Sequence, residues 1–300
     1  MPEIPDLECY RLALTERIEG STLRGIRLAS PFVLRSVAPS IDDVIGAVVT
    51  KIRRMGKRLV VGLSQDDRSE ARYIVFHLMI AGRLRWYDAG KKIPARYGLM
   101  AFDFDVGTLG LTEAGKKHRA SVHLIEGADN LMALHPGGRE LTDLSLSDFI
   151  EALTRENHTV KRSLTDQRFL GGIGNAYSDE ILHQARISPM RQVKYLTDED
   201  WQQLYIACND RLDFFTHLLN EKRRGKFPEK VTAFVPEMAV HGQYGNPCPE
   251  CGHPVQRIRY ADNECNYCAH CQNEDRLLAD RGLSRLLKQD WPRRLEDLEQ

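Results

Sequence analysis

Phe169-Leu170-Gly171-Gly172-Ile173-Gly174-Asn175-Ala176-Tyr177-Ser178-Asp179-Glu180-Ile181-Leu182 sets three glycines and an asparagine in front of a helix-forming run. Glycine lets backbone amides approach a ligand closely, and the first turn of a helix presents unpaired N–H groups, so Gly174 and Asn175 mark a ready site for a phosphate. A glycine-rich turn capped by asparagine describes the same residues structurally, and the two readings hold together. Around this segment the pattern is helical: Ser147 to Arg155, Val160 to Gln167, Asn175 to Ala185, and Asp198 to about Glu221. The last carries Trp201, Leu204, Tyr205, Cys208, Leu212, Phe215 and Leu219 as a core-facing stripe.

Upstream of His135-Pro136-Gly137-Gly138 the pattern is different. After a short amphipathic helix with Leu7, Tyr10, Leu14 and Ile18 on one face, Thr22 to about Ile125 reads as strands. They include Val44 to Ile52, Arg58 to Leu63, Tyr73 to Trp86, Leu99 to Asp105 and Thr108 to Thr112. Strands in that number without intervening helices predict a β-sandwich or barrel. Downstream, five of the seven cysteines lie between Cys248 and Cys271. Cys248-x-x-Cys251 and Cys268-x-x-Cys271 bracket sixteen residues, a spacing that supplies four thiolates to one tetrahedral Zn²⁺ around a β-hairpin. With every position filled by protein, the zinc is structural. Cys265 reads as a hairpin residue. Residues 273–300 form a charged tail with Leu277, Leu278, Leu283, Leu286, Leu287 and Trp291, enough for one or two amphipathic helices.

Composition narrows the field. Among 300 residues, Lys+Arg and Asp+Glu balance at 42 each, so any nucleic-acid affinity has to come from local concentration of charge. No apolar run approaches the roughly 20 residues that cross a bilayer, and Met1-Pro2-Glu3-Ile4-Pro5-Asp6 lacks a signal-peptide pattern. An odd cysteine count clustered in one module fits a reducing compartment. The expectation is a cytoplasmic protein without membrane contact.

Two further features bear on chemistry. Removal of Met1 exposes the secondary amine of Pro2, which titrates far below a lysine and is more nucleophilic at neutral pH. Such an amine condenses with the aldehyde form of a sugar C1′ to give an iminium, and Glu3 beside it is able to move protons. If Met1 persists, that nitrogen is an amide and the chemistry is closed. Lys51-Ile-Arg-Arg-Met-Gly-Lys57-Arg58 gathers five cations in eight residues, a run fit to hold phosphates or to be a solvated strand end.

The glycine–asparagine segment resembles the Gly-x-Gly-Asn-x-Tyr-x-x-Glu signature of the helix–two-turn–helix motif in the formamidopyrimidine-DNA glycosylase / endonuclease VIII family. Met1–Asp6 is similar to the family's start and Arg54-Met55-Gly56-Lys57 to its lysine motif. Phe76-His77-Leu78 followed by Gly82 resembles its His-Leu-Gly-Met-Ser-Gly run, and Val240–Cys248 its lead-in to a zinc finger. Lys161 precedes the glycine segment by the family's interval. The resemblance spans about residues 2–272. It implies an α+β multidomain protein: an N-terminal helix plus β-sandwich catalytic domain (1–135), a helix–two-turn–helix DNA-binding domain (136–236), a zinc-finger β-hairpin (237–272) and a helical tail (273–300). The implied activity is a bifunctional DNA glycosylase and lyase of base-excision repair. Pro2 displaces the damaged base, Glu3 transfers protons, Lys57 serves phosphate contact and β-elimination, and His77, Lys161, Gly174 and Asn175 contact DNA. The implied partner is damaged double-stranded DNA, met by a monomer in the nucleoid, with one structural Zn²⁺ on Cys248, Cys251, Cys268 and Cys271.

Three departures stand against this pattern. Asn263 occupies the place of the arginine that the family's hairpin uses on phosphates, with Arg257 and Arg259 on the strand before it. Glu113-Ala114-Gly115-Lys116-Lys117-His118-Arg119 lacks the aromatic wedge of the family's Asp-Pro-Arg-Arg-Phe loop, and Ile80 stands for its intercalating methionine beside Met79. Asn220 to Glu237 lacks the Gly-Gly-Thr-Thr run of the lesion loop. These motivate the alternative of a catalytically weak paralogue that binds abasic or distorted DNA.

Overall fold

A computed structural model describes residues 1–65, 70–115, 117–229, 231–232, 234–260, 263–280 and 283–298. The chain divides into two compact units, Met1–Pro136 with Phe215–Thr232, and Gly137–Phe214 with Ala233–Gln300.

The first unit opens with α1 (Ile4–Ile18). It begins three residues before the apolar stripe because Pro5 fits the first turn, where no backbone donor is needed, and Glu3 and Asp6 close a reciprocal capping box. Leu7, Tyr10, Leu14 and Ile18 are fully buried, as their spacing predicts. Then come β1 (Leu23–Leu28), a short α2 (Ile41–Val44), β2 (Val48–Met55), β3 (Arg58–Ser64), β4 (Arg72–His77), β5 (Gly82–Tyr87), β6 (Gly98–Phe104), β7 (Gly107–Glu113), β8 (Ser121–Glu126) and α3 (Ala128–Ala133). Two antiparallel four-stranded sheets, ordered β1-β6-β7-β5 and β2-β3-β4-β8, make the sandwich. Apolar side chains from both sheets and α1 form one core, with Phe76 edge-on to Phe102 at 5.1 Å. Phe227, from the segment that returns to this unit, packs on Tyr10 at 5.7 Å.

Two strand boundaries differ from the sequence pattern. Val44 does not begin a strand: it ends α2, which Ser40 and Asp43 cap, and pairing starts at Val48. Tyr73 to Trp86 is not one strand, because residues 78–81 turn and Met79 adopts φ 52. Alternation along a strand therefore does not orient Met79 and Ile80. Ile80 is exposed at 57% of its surface, and Met79 is half-buried.

The second unit contains α4 (Leu146–Thr154), α5 (Val160–Thr165), α6 (Asn175–Gln184) and the greater part of α7 (Asp198–Arg223). After them come the hairpin β9 (Gln256–Tyr260) and β10 (Asn263–Tyr267), α8 (Ala269–Asn273) and α9 (Leu283–Leu287). Trp201, Leu204, Cys208 and Leu212 of α7 are buried. The tail packs Leu277, Leu278 and Leu295 on Ile258, Cys265 and Tyr267 of the hairpin. Cys265 is thus a core residue of the hairpin. Among the described residues, no helix is long and apolar enough to cross a membrane.

Candidate functional site

The chain's first residues lie inside the first unit rather than in solvent: Pro2 and Glu3 are buried. Burial lowers the pKa of the α-amino group at Met1. The Arg83 and Lys57 charges act in the same direction, while Glu3 and Asp6 oppose them. Lys57 is likewise pushed down by burial, against the pull of Glu3. The turn between β2 and β3 puts Lys57 there: Met55 pairs with Arg58 across a two-residue loop, whose first position needs the φ of +55 that Gly56 supplies. An ammonium near a carboxylate ordinarily gains proton affinity. Here dehydration outweighs the partner, and both amines keep a larger neutral fraction than they would in water.

Asp6, which the sequence reading did not single out, supports this arrangement. Its Oδ2 accepts the Glu3 backbone N–H at 2.9 Å, while Oδ1 is buried without a partner. Burial raises its pKa to about 7 despite that hydrogen bond. The Glu3-x-x-Asp6 capping pattern was the available signal. His77, at the end of β4, is pushed down to about 4 by burial and by Arg58, Lys57 and His123. It is therefore a neutral imidazole at pH 7, a hydrogen-bonding group rather than a charge.

The basic run of β2 and β3 is not a single patch. Arg54 is turned inward, its Nε donating to Glu8 Oε1 at 3.2 Å and its Nη1 to the Gly56 carbonyl at 3.0 Å. Arg53 lies over the Tyr73 ring at 5.7 Å, and Lys51 is exposed. In the loop after β7, Glu113 Oε2 accepts the N–H groups of Arg119 and Ala120 at 2.9 and 3.0 Å, tying its base. Lys116 of that loop lies outside the described residues.

In the second unit, α6 is the hub. Gln167 clips the glycine turn before it, donating to the Ile173 carbonyl at 2.7 Å and accepting from the Gly172 N–H at 2.9 Å, with Gly172 at φ 97. Gly174 caps α6, and Asn175 donates to the Glu264 carbonyl of the hairpin at 2.7 Å. Lys161, expected to face DNA, is mostly buried. It donates to the Asn175 carbonyl at 3.1 Å, Ser178 Oγ at 2.8 Å and Asp179 Oδ1 at 2.5 Å. Asp179 Oδ2 also pairs with His241 Nδ1 at 2.8 Å and accepts the Asn266 N–H at 3.0 Å. At the next position, the Glu180 carboxylate accepts three backbone N–H groups, from Ala239, Val240 and His241, at 2.8–2.9 Å. Sequence showed Lys161 as a cation at a family interval; its partner Asp179 was in the signature but unassigned.

The cysteine module closes the far end of this helix. Among the described residues, the Sγ atoms of Cys248, Cys251, Cys268 and Cys271 converge within 4.8 Å. The Cys251–Cys268 separation is 3.4 Å and Cys248–Cys271 is 3.9 Å. A tetrahedral ion with Zn–S bonds of 2.3 Å requires about 3.8 Å, so the donor set and its spacing fit zinc. His183 of α6 approaches Cys248 Sγ at 3.2 Å through Nε2. Arg257, a candidate to replace the missing hairpin arginine, stacks on Tyr244 at 4.1 Å and lies 3.7 Å from Glu264.

These features have counterparts in known proteins. The family model for the formamidopyrimidine-DNA glycosylase N-terminal domain matches residues 1–119, and that for the H2TH domain of the same glycosylase matches residues 138–213. A formamidopyrimidine-DNA glycosylase of Pelotomaculum thermopropionicum is 30% identical over 280 residues, covering 91% of this chain and 99% of that protein. One from Vibrio parahaemolyticus is 26% identical over 275 residues, covering 91% and 100%. Among solved structures, a mutant Lactococcus lactis FPG in complex with Fapy-dG-containing DNA superposes with a TM-score of 0.79 at 24% identity, over 91% of this chain and 100% of that one. Two family models in chain order and full-length relatives agree with the sandwich, the α6 hub and the four-cysteine hairpin: this chain belongs to the formamidopyrimidine-DNA glycosylase family.

Proposed function

We propose that the protein is a DNA glycosylase of base-excision repair that also cleaves the strand as an abasic-site lyase, through its N-terminal proline. The observation that carries this reading is that Pro2 and Glu3 are buried at the chain start and that Lys57, whose charge is felt there, has its pKa lowered by burial against the pull of Glu3. Excision of Met1 frees the Pro2 nitrogen. Its lone pair forms a bond to C1′ of the damaged nucleotide once that nucleotide has left the stack. The C1′–N bond breaks with its electron pair leaving on the base, and opening of the sugar ring, with Glu3 delivering the proton to its oxygen, gives the iminium. That electron sink acidifies the C2′ proton. The proton lost by the Pro2 nitrogen goes to the departing base. A water takes the C2′ proton as the C3′–O bond breaks with its electron pair leaving on the 3′ phosphate, which Lys57 holds, and water then hydrolyses the iminium and regenerates Pro2.

In this reading His77, Gly174 and Asn175 contact DNA. Lys161 serves the same site by holding the Asn175 carbonyl and Asp179. The four cysteines hold one Zn²⁺, which supplies cross-linking of the hairpin rather than reaction chemistry. The protein acts as a monomer on damaged double-stranded DNA in the nucleoid, through the four-part domain plan set out above. FPG structures from Lactococcus lactis hold both Fapy-dG and an oxidised pyrimidine in DNA, so the lesion panel spans both base classes.

The test incubates protein of verified mass, lacking Met1, with duplexes bearing single lesions. Excision and nicking are expected, with Pro2→Gly abolishing nicking while retaining DNA binding. Wild-type nicking by Pro2→Gly contradicts the proposal. The second reading, a binder without turnover, is favoured by Asn263 and by the engagement of Arg257 with Tyr244 and Glu264. It is the outcome if abasic DNA is bound and never cut.

A further inference from the structure

Beside the four cysteines, the described residues contain a second group of converging donors. His253 follows the first cysteine pair, His270 lies on α8 within the second, and Asp275 follows α8. One ligand atom from each lies within 4.8 Å of the others. The two imidazoles stack face to face, 4.5 Å apart at 18°. His270 Nδ1 is hydrogen-bonded to Asp275 Oδ1 at 2.7 Å. Asp275 is fixed from both sides: its N–H donates to the Ala269 carbonyl at 3.1 Å, and its carbonyl accepts the Leu295 N–H of the tail at 3.0 Å. The three residues line a cavity of about 330 Å³ that Arg294, Leu295 and Glu296 close from the tail side.

We propose that His253, His270 and Asp275 form a second, exchangeable site for a divalent transition-metal ion, beside the cysteine cluster. Two imidazoles and a carboxylate are the donor set of borderline ions such as Zn²⁺ and Ni²⁺ rather than of Mg²⁺ or Ca²⁺. A carboxylate on one nitrogen of an imidazole is the usual device that fixes a metal-binding histidine's tautomer and presents its other nitrogen. Either Asp275 acts in this way or its oxygen binds directly. Tetrahedral bonds of about 2.0–2.1 Å need donors about 3.4 Å apart, a closure within reach of small side-chain rotations in an open cavity. Water completes the coordination. The site straddles the finger, which supplies His253 and His270, and the tail, which supplies Asp275 and one wall of the cavity. Binding there joins α8, the first knuckle and the tail.

The experiment uses the full chain carrying one equivalent of Zn²⁺, its cysteine thiols verified as protected from a disulfide reagent. Equilibrium dialysis against Ni²⁺ is expected to load about one further equivalent at micromolar concentration, with the cysteine-bound zinc retained. His270→Ala and Asp275→Asn are each expected to weaken that second equivalent at least about tenfold. Should His270→Ala lose the first zinc, His253→Gln, outside the helix, supplies the same reading. No second equivalent below roughly 100 μM Ni²⁺, or equal uptake by the His253→Gln variant, overturns the proposal.

Discussion

The N-terminal cluster and the α6 hub both bury ionisable groups, and they do it in opposite ways. Around α6, Asp179 has Lys161, His241 and the Asn266 N–H, and Glu180 has three backbone donors. Around the chain start, Asp6 Oδ1 has no partner, and Lys57 and the α-amine are dehydrated further than nearby charges compensate. Hydrogen-bonded buried charges fix geometry even where, as at Glu180, burial still raises the pKa, while a buried group short of partners shifts without that anchoring. One region holds a shape, and the other holds amines whose proton affinity burial has lowered.

The contrast can be broken by substitution. Asp179→Ala leaves Lys161 and His241 buried without their shared anion, and should cost about 3–5 kcal/mol in denaturant unfolding. Loss below 1 kcal/mol would mean that the hub is ornamental. The Asp6 effect carries a pH signature. Its folded pKa of about 7 exceeds its ordinary value of 3.8, so the folded state holds the proton more tightly. Its contribution is most favourable below the lower value, is lost as pH rises through that interval, and is constant above it. Asp6→Asn, neutral throughout, should therefore gain on wild type between pH 4 and 7, reaching about 4 kcal/mol at pH 8. Parallel stability curves for the two proteins would refute the buried-acid account. Glu180→Gln keeps one acceptor oxygen for three N–H donors and is expected to cost about 1–3 kcal/mol. Smallest of all, Lys57→Met should leave stability unchanged or raise it by up to about 0.5 kcal/mol, since burial costs that ammonium more than Glu3 returns, while strand cleavage falls steeply. A stability loss like that of Asp179→Ala would place Lys57 with the structural charges.

These differences also mark what a sequence is able to disclose. Leu7, Tyr10, Leu14 and Ile18 were legible because helical spacing and burial are local facts. The cysteine pairs were legible because ligand spacing is itself the signal. The break at Met79 was not, since a non-glycine residue at φ 52 leaves no mark in an alternating pattern. The extent of α1 was hidden by Pro5, which reads as a breaker yet suits a first turn. Lys161 was visible as a cation but its use was not, because Asp179 and His241 come from an adjoining helix and a distant loop. The five cations around Gly56 looked like one patch until strand geometry turned Arg54 toward Glu8.

The central claim is that the N-terminal imino nitrogen is the nucleophile. Borohydride reduction of the protein on abasic-site DNA, followed by digestion and mass mapping of the cross-linked peptide, tests it most directly. A single adduct is expected on the peptide beginning at Pro2, in protein that lacks Met1. An adduct on Lys57, or full strand cleavage by protein that retains Met1, would contradict it.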